Sequence, residues 1–178
     1  MNWVGLDSWP SAKIVDKKFW LGKDYLDEKE SNRTSEKLFI RSPLWLGLFA
    51  GKWCSYNTPP DLPGDQRQED GGAQIFTSEP LEKDTELLGA PVAEFTIEAN
   101  KPVAMLAVRI SDVRKDGKAT RITYGLKNLT HRHSHEEPAY LIPGKTYKVK
   151  IQMNEIAHKF PKGHSIRLSV STTYWPIA

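Results

Sequence analysis

The second half of the chain alternates apolar and polar side chains repeatedly. In EFTIEA, Phe95, Ile97 and Ala99 fall on one side, and Glu94, Thr96 and Glu98 on the other. In TYKVKIQM, Tyr147, Val149, Ile151 and Met153 alternate with Lys148, Lys150 and Gln152. In SIRLSVS, Ile166, Leu168 and Val170 alternate with Arg167, Ser169 and Ser171. A period of two sends successive side chains to opposite faces of an extended strand, so each segment predicts a strand buried on one face. VAMLAVRISDV, residues 103–113, is more continuously apolar and predicts a central strand covered on both faces. Asp116-Gly117 supplies the backbone angles of a tight turn, so strands over 103–113 and 119–129 are expected to pair antiparallel. A second turn, IPGK at 142–145, precedes the strand that starts near Lys145.

Helical signals are few. NEIAHKF, residues 154–160, is expected to form one or two helical turns before Pro161 stops them. Residues 23–37 are polar without a stripe and read as a solvated loop with room for a short helix. Residues 55–72 are rich in proline and glycine and read as a long connection. No repeat and no alternating βαβ pattern appears. Many strands, long connections and little helix imply an all-β sandwich in one domain over 1–178. Residues 1–72 would supply lead-in strands and long loops, and 73–178 the main sandwich strands.

Composition narrows the partners. The net charge of +3 comes from 25 basic and 22 acidic residues that interleave along the chain, so no nucleic-acid footprint is expected. The longest apolar run, LWLGLFAG at 44–51, is far shorter than the roughly 20 residues of a membrane-spanning helix, so no membrane partner is expected. The single cysteine, Cys54, cannot form an intrachain disulfide, and the start MNWVGLDSWP lacks the regions of a signal peptide. The expected compartment is cytoplasmic.

Three motifs raise chemistry. KGHSIRLSVS places His164 just before Ser165, Ser169 and Ser171. A serine nucleophile needs a base in reach and a sharp turn to expose it, and no G-x-S-x-G occurs. Ser169 and Ser171 are therefore read as solvent-facing strand residues and His164 as a turn residue bonded to a neighbouring loop. HRHSH carries His131, His133 and His135, which would share one face if extended and could then ligate a metal; solvated loop histidines are the competing reading. In PLWLGLFAGKW, Trp45, Leu48, Phe49 and Trp53 lie on a glycine-broken segment that is either core or a loop lining a pocket or a docking surface. In PGDQRQED, an ion pair between Asp65 and Arg67 can pin the loop. No cofactor is implied.

Several stretches carry a family resemblance. PGDQRQEDGGAQIFTSEPLEKDTELLGAP, RISDVRKDGKATRITYGLKNLTHR and LIPGKTYKVKIQMNEIAHKFPKGHSIRLSVSTTYWP, with the early DSWP and KKFWLG, resemble the C-terminal domain of the X-Pro dipeptidyl-peptidase and cocaine-esterase-like serine hydrolases. The resemblance implies a jelly-roll β-sandwich of the galactose-binding-like kind, behind an α/β-hydrolase domain that holds the serine, histidine and acid. Those catalytic residues have no counterpart here, so this chain would be non-catalytic and its partner the upstream hydrolase domain. In some members a sandwich loop lines the acyl pocket, which makes Leu48 and Phe49, with Trp45 and Trp53 beside them, the candidate substrate-lining residues. The family continues past YWP with more strand sequence, so truncation after Ala178 is expected. An edge left unpaired there could pair with a second copy in a homo-oligomer. A carbohydrate-binding jelly roll using the six tryptophans is the alternative, and a histidine-ligated metal enzyme the third reading.

Overall fold

The computed structural model describes residues 3–30, 37–56, 58 and 61–178. The described chain is built mainly of antiparallel strands. Two short strands, β1 (Trp20–Leu21) and β2 (Leu26–Asp27), form a ribbon in the lead-in. Eight more follow: β3 (Gln74–Thr77), β4 (Thr85–Gly89), β5 (Val92–Glu98), β6 (Met105–Val113), β7 (Ala119–Asn128), β8 (Thr146–Gln152), β9 (Ile156–Phe160) and β10 (Ser165–Ser171). Their pairing is nested: β6 with β7, β5 with β8, β4 with β9, and β3 with β10. β10 also pairs with β6, which gives a four-stranded sheet in the order β3-β10-β6-β7.

The expected hairpin is present. β6 and β7 pair from Met105 opposite Asn128 to Val113 opposite Ala119. The turn closes through Arg114 and Lys118, with Gly117 at φ 82°, a backbone angle that a side chain resists. A bulge follows between Ile110 and Ser111, so Arg109 faces Tyr124 while Ser111 faces Arg121. Directly opposed residues share a face, and so do alternate residues of β6. The bulge therefore brings Arg121 and Tyr124 to the same side of the sheet.

The core lies on one face of this sheet. Phe76, Leu106, Val108, Ile110, Ile166, Leu168 and Val170 pack against Ala93, Tyr147, Val149 and Ile151 of β5 and β8 and against Phe160 of β9. β6 is buried along nearly its whole length because its other face is covered too, which explains its weak alternation.

Two local expectations fail. Residues 156–160 are strand β9, not helix, because Ile156–Phe160 pairs with the full length of β4 and tertiary pairing outweighs weak helix propensity. Leu26–Asp27 is strand within the stretch read as solvated loop, and residues 31–36 of that stretch lie outside the described residues. The stretch read as a connection, 55–72, ends in a one-turn helix, α1 (Arg67–Asp70).

The alternation predicts an unequal response along β8. Ile151→Ala, at a fully buried position, should lower unfolding free energy by about 2–5 kcal/mol. Lys150→Ala next to it, exposed and paired with the exposed Glu94, should stay within about 0.5 kcal/mol of wild type. Equal losses in urea titration would show that β8 does not present alternate faces to core and water.

Candidate functional site

The outer face of the four-stranded sheet carries a buried polar layer, and α1 supplies most of its acceptors. Asp70 is buried and takes three donors: Ser169 Oγ at 2.7 Å, Arg167 Nη1 at 2.9 Å and Arg109 Nη2 at 3.3 Å. Arg109 is fully buried, with its guanidinium 4.7 Å from the Tyr174 ring centre. Its Nε and Nη1 have no acceptor among the described residues. Ser169 and Ser171 are fully buried here, contrary to the expectation that they face solvent. The polar side of β10's alternation is covered by a layer that is itself polar.

The other residues of α1 and its approach hold the aromatic segment. Glu69 is fully buried; its Oε1 accepts from Phe49 N at 2.7 Å and its Oε2 from Gly47 N. Gln66 donates to the carbonyls of Phe49 and Gly64, both at 2.9 Å, and accepts from the Tyr174 hydroxyl at 2.8 Å. Arg121 donates to Ala50 O at 2.8 Å and to Tyr174 Oη at 2.9 Å. Hydrogen bonds to a charged acceptor contribute about 1.5–3 kcal/mol each. The segment is thus fixed from beneath by side chains rather than by strand pairing.

The expected Asp65–Arg67 ion pair is present, at 2.6 Å. Partial burial pushes the Asp65 carboxyl up, but the Arg67 guanidinium and the Ala119 and Arg67 amides outweigh it and hold it below its ordinary value. The hydrogen bond from Lys52, seconded by the Tyr56 amide, does the same for Asp61.

Apart from Lys52, the side chains that the segment presents to solvent are apolar. Leu46 and Ala50 point inward with Ala107, Tyr174 and Ile177, while Leu44, Trp45, Leu48, Phe49 and Trp53 are exposed, Leu48 by 67% and Trp53 by 75%. The core reading of PLWLGLFAGKW therefore holds for Leu46 and Ala50, while Trp45, Leu48, Phe49 and Trp53 lie outside the core. Gly47 sits at φ 119° against the Trp175 backbone, whose amide donates to Leu46 O at 3.0 Å; any Cβ there would overlap the Trp175 carbonyl. Trp175, 63% exposed, joins the segment in this way. Sequence reasoning passed over it because it lies 128 residues after Gly47, and no local signal links the two.

His164 does not meet a serine. Its Nδ1 lies 2.7 Å from Asp112 Oδ1, and His158 Nε2 lies 3.0 Å from Asp112 Oδ2. Asp112 is buried in β6, His158 is on β9, and His164 closes the turn into β10. An imidazole held by a buried acid is two-thirds of a hydrolytic triad. The third element is missing: among the described residues no hydroxyl bonds to either ring, and both carboxylate oxygens are engaged by imidazoles. The arrangement is a clamp that ties β9 and the turn into β10 to the end of β6. The partner expected for His164 was a loop; the structure gives it a strand carboxylate instead.

His131, His133 and His135 do not form the extended row on which metal ligation depended. His131 ends a 3-10 turn (Leu129–His131) and its ring lies 5.3 Å from that of His135, while His133 is exposed. Among the described residues no group of three His, Cys, Asp or Glu side chains is placed to hold a metal. Cys54 is exposed. No described helix is long and apolar enough to cross a membrane.

The fold and its buried layer define a β-sheet domain whose polar groups serve architecture and present an apolar loop, with no assembled nucleophile among the described residues. Residues 1–178 match the sequence profile of the X-Pro dipeptidyl-peptidase C-terminal non-catalytic domain, and the chain belongs to that family. It is 25% identical over 187 residues to the cocaine esterase of Rhodococcus sp. (strain MB1 Bresler), covering 98% of this chain and 33% of that protein. It resembles in fold an aminopeptidase from a marine sediment Thaumarchaeota archaeon (TM-score 0.80, 20% identity, 99% of this chain and 32% of that one). An α-amino acid ester hydrolase is also similar in fold (TM-score 0.74, 16% identity, 90% and 29%). The chain spans about a third of the length of the curated relative it matches.

Two predictions follow from the buried layer and the clamp. Burial raises the Tyr174 hydroxyl above its ordinary value of 10.0, with Arg121 and Arg109 opposing the rise. The stability that depends on neutral Tyr174 is complete below about pH 10 and lost as pH rises from there through the higher folded value. Tyr174→Phe should start less stable but lose this alkaline decline in denaturation curves taken across pH 8 to 11; an unchanged decline would place its origin elsewhere. Asp112→Ala, which strips two half-buried imidazoles of their acceptor, should cost about 1–3 kcal/mol in chemical denaturation, and no measurable loss would mean the clamp contributes nothing.

Proposed function

We propose that this domain stands behind an α/β-hydrolase domain and helps to wall its acyl pocket with the segment that carries Trp45, Leu48, Phe49 and Trp53. The observation that carries this reading is the combination of exposure and rigidity. An apolar patch of this kind on a polar chain marks a contact surface. Most exposed loops are mobile, but this one is fixed by two fully buried side chains, Glu69 and Gln66. A surface held in one shape loses less entropy when a partner covers it. Trp175, packed through its backbone on Gly47, belongs to the same surface.

In the proposed whole enzyme, the serine of the other domain attacks an ester or amide carbonyl and forms an acyl-enzyme. Its histidine serves as base and then acid, and backbone donors hold the oxyanion. Relatives carry the names aminopeptidase, cocaine esterase and α-amino acid ester hydrolase, which supports an acyl-transfer substrate of ester or amide type. The nested strand pairs β3·β10, β4·β9, β5·β8 and β6·β7 support a jelly-roll path, a long hairpin rolled into two layers over a single domain, as in galactose-binding-like sandwiches.

The carbohydrate-module reading gains less support. Sugar stacking needs aromatic rings beside a cleft; a cleft of about 440 Å³ between β7 and β8 has no Phe, Tyr or Trp in its lining, and one of about 240 Å³ beside Pro43 and Gly72 has a single ring, Phe39.

The test is direct. This chain alone, mixed with an activated ester, should release no burst of product. A burst stoichiometric with protein, abolished by a serine-directed covalent inhibitor, would refute the division of labour.

A further inference from the structure

We infer that Glu69 is a positioning residue for acyl-side selectivity, acting through the Leu48-Phe49 pair; the inference rests on the proposed function of that loop. The geometry is specific. One carboxylate takes the amides of Gly47 and Phe49, the residues on either side of Leu48. The Phe49 carbonyl is held in turn by Gln66 Nε2 and by Gly64 N at 3.0 Å. Leu48 is left with a long amide contact of 3.4 Å to Trp45 O and projects outward. Phe49 therefore has both backbone groups fixed, and Leu48 is bracketed by two fixed neighbours.

The carboxylate is chemically required for this bracket. Its two oxygens are both acceptors, so each meets one N–H. A glutamine offers one acceptor and turns an NH₂ group toward the second amide, donor against donor. An aspartate keeps both acceptors but is one methylene shorter, so it reaches the two amides less well from the same backbone position. No sequence rule ties Glu69 to residues 47 and 49, and none of the family's hydrolytic groups is involved. Gly47 reinforces the bracket, because its positive φ and its contact with the Trp175 backbone admit only glycine.

The consequence is a division between binding and chemistry. Releasing the bracket leaves the catalytic groups of the other domain untouched but lets Leu48 and Phe49 sample several positions. Large acyl groups, which would touch them, lose uniform binding, while small ones would not. The intact enzyme, this domain together with its catalytic domain, is assayed with p-nitrophenyl acetate and p-nitrophenyl benzoate. Glu69→Gln should raise KM for the benzoate about tenfold, with KM for the acetate and both kcat values within about twofold of wild type. Glu69→Asp should give a smaller change in the same direction. The Leu48→Ala/Phe49→Ala double variant should shift the benzoate-to-acetate ratio in the same sense. If the double variant shifts the ratio and Glu69→Gln does not, the positioning role is wrong and the loop's role stands. If the double variant shifts nothing, the loop reading fails and takes this inference with it. Hydrogen exchange of the unmutated enzyme gives a check that needs no variant: the Gly47 and Phe49 amides should exchange more slowly than that of Leu48, and equal rates would overturn the bracket.

Discussion

The outer half of this domain depends on placing two carboxylates, Glu69 and Asp70, on one turn of helix beneath a loop and above a sheet. Their side chains diverge. Glu69 reaches to the amides of the aromatic segment, and Asp70 reaches to Arg109, Arg167 and Ser169 on β6 and β10. Buried charges persist only when paired and hydrogen-bonded, and buried backbone amides only when they find an acceptor. α1 supplies an acceptor to each side, and so ties the loop to the sheet face.

The same layer explains why the sheet has two unlike faces. One is an apolar interface with β5, β8 and β9. The other joins a small apolar cluster around Leu46, Ala107 and Tyr174 to guanidinium, carboxylate and hydroxyl groups. Paired charges of this kind add less net stability than their number suggests, since desolvation offsets much of the attraction. What they provide here is geometry: a directed acceptor fixes a backbone amide to within the tolerance of a hydrogen bond, which an apolar contact does not.

Asp112 shows how little separates a clamp from a catalytic unit. A buried acid holding an imidazole nitrogen is present, yet the second carboxylate oxygen holds another imidazole and no hydroxyl joins either ring among the described residues. The acid's function is set by what stands opposite the histidine. The family assignment to non-catalytic domains agrees with this geometry.

Several features were legible in the residues alone. The period of two in β5, β8 and β10 and the Asp116-Gly117 turn fix the strands and one hairpin, because alternation and turn chemistry are local properties. The absence of a nucleophile elbow was also legible, since that motif is a contiguous one. The strand at 156–160 was not, because a short apolar segment before a proline satisfies helix and strand equally until β4 pairs with it. Nor was the burial of Ser169 and Ser171, since alternation reports which face is polar and not whether something polar covers it. DQRQED reads locally as a charged turn, and only the approach of residues 47 to 50 and of Tyr174 makes it the anchor of an aromatic surface. The sequence by itself determined the strands of regular alternation, one hairpin turn and the lack of a G-x-S-x-G elbow, because each is a contiguous pattern. The tertiary structure decided which polar groups are buried and what they hold, because hydrogen-bond partners distant along the chain become neighbours only when the sheet closes.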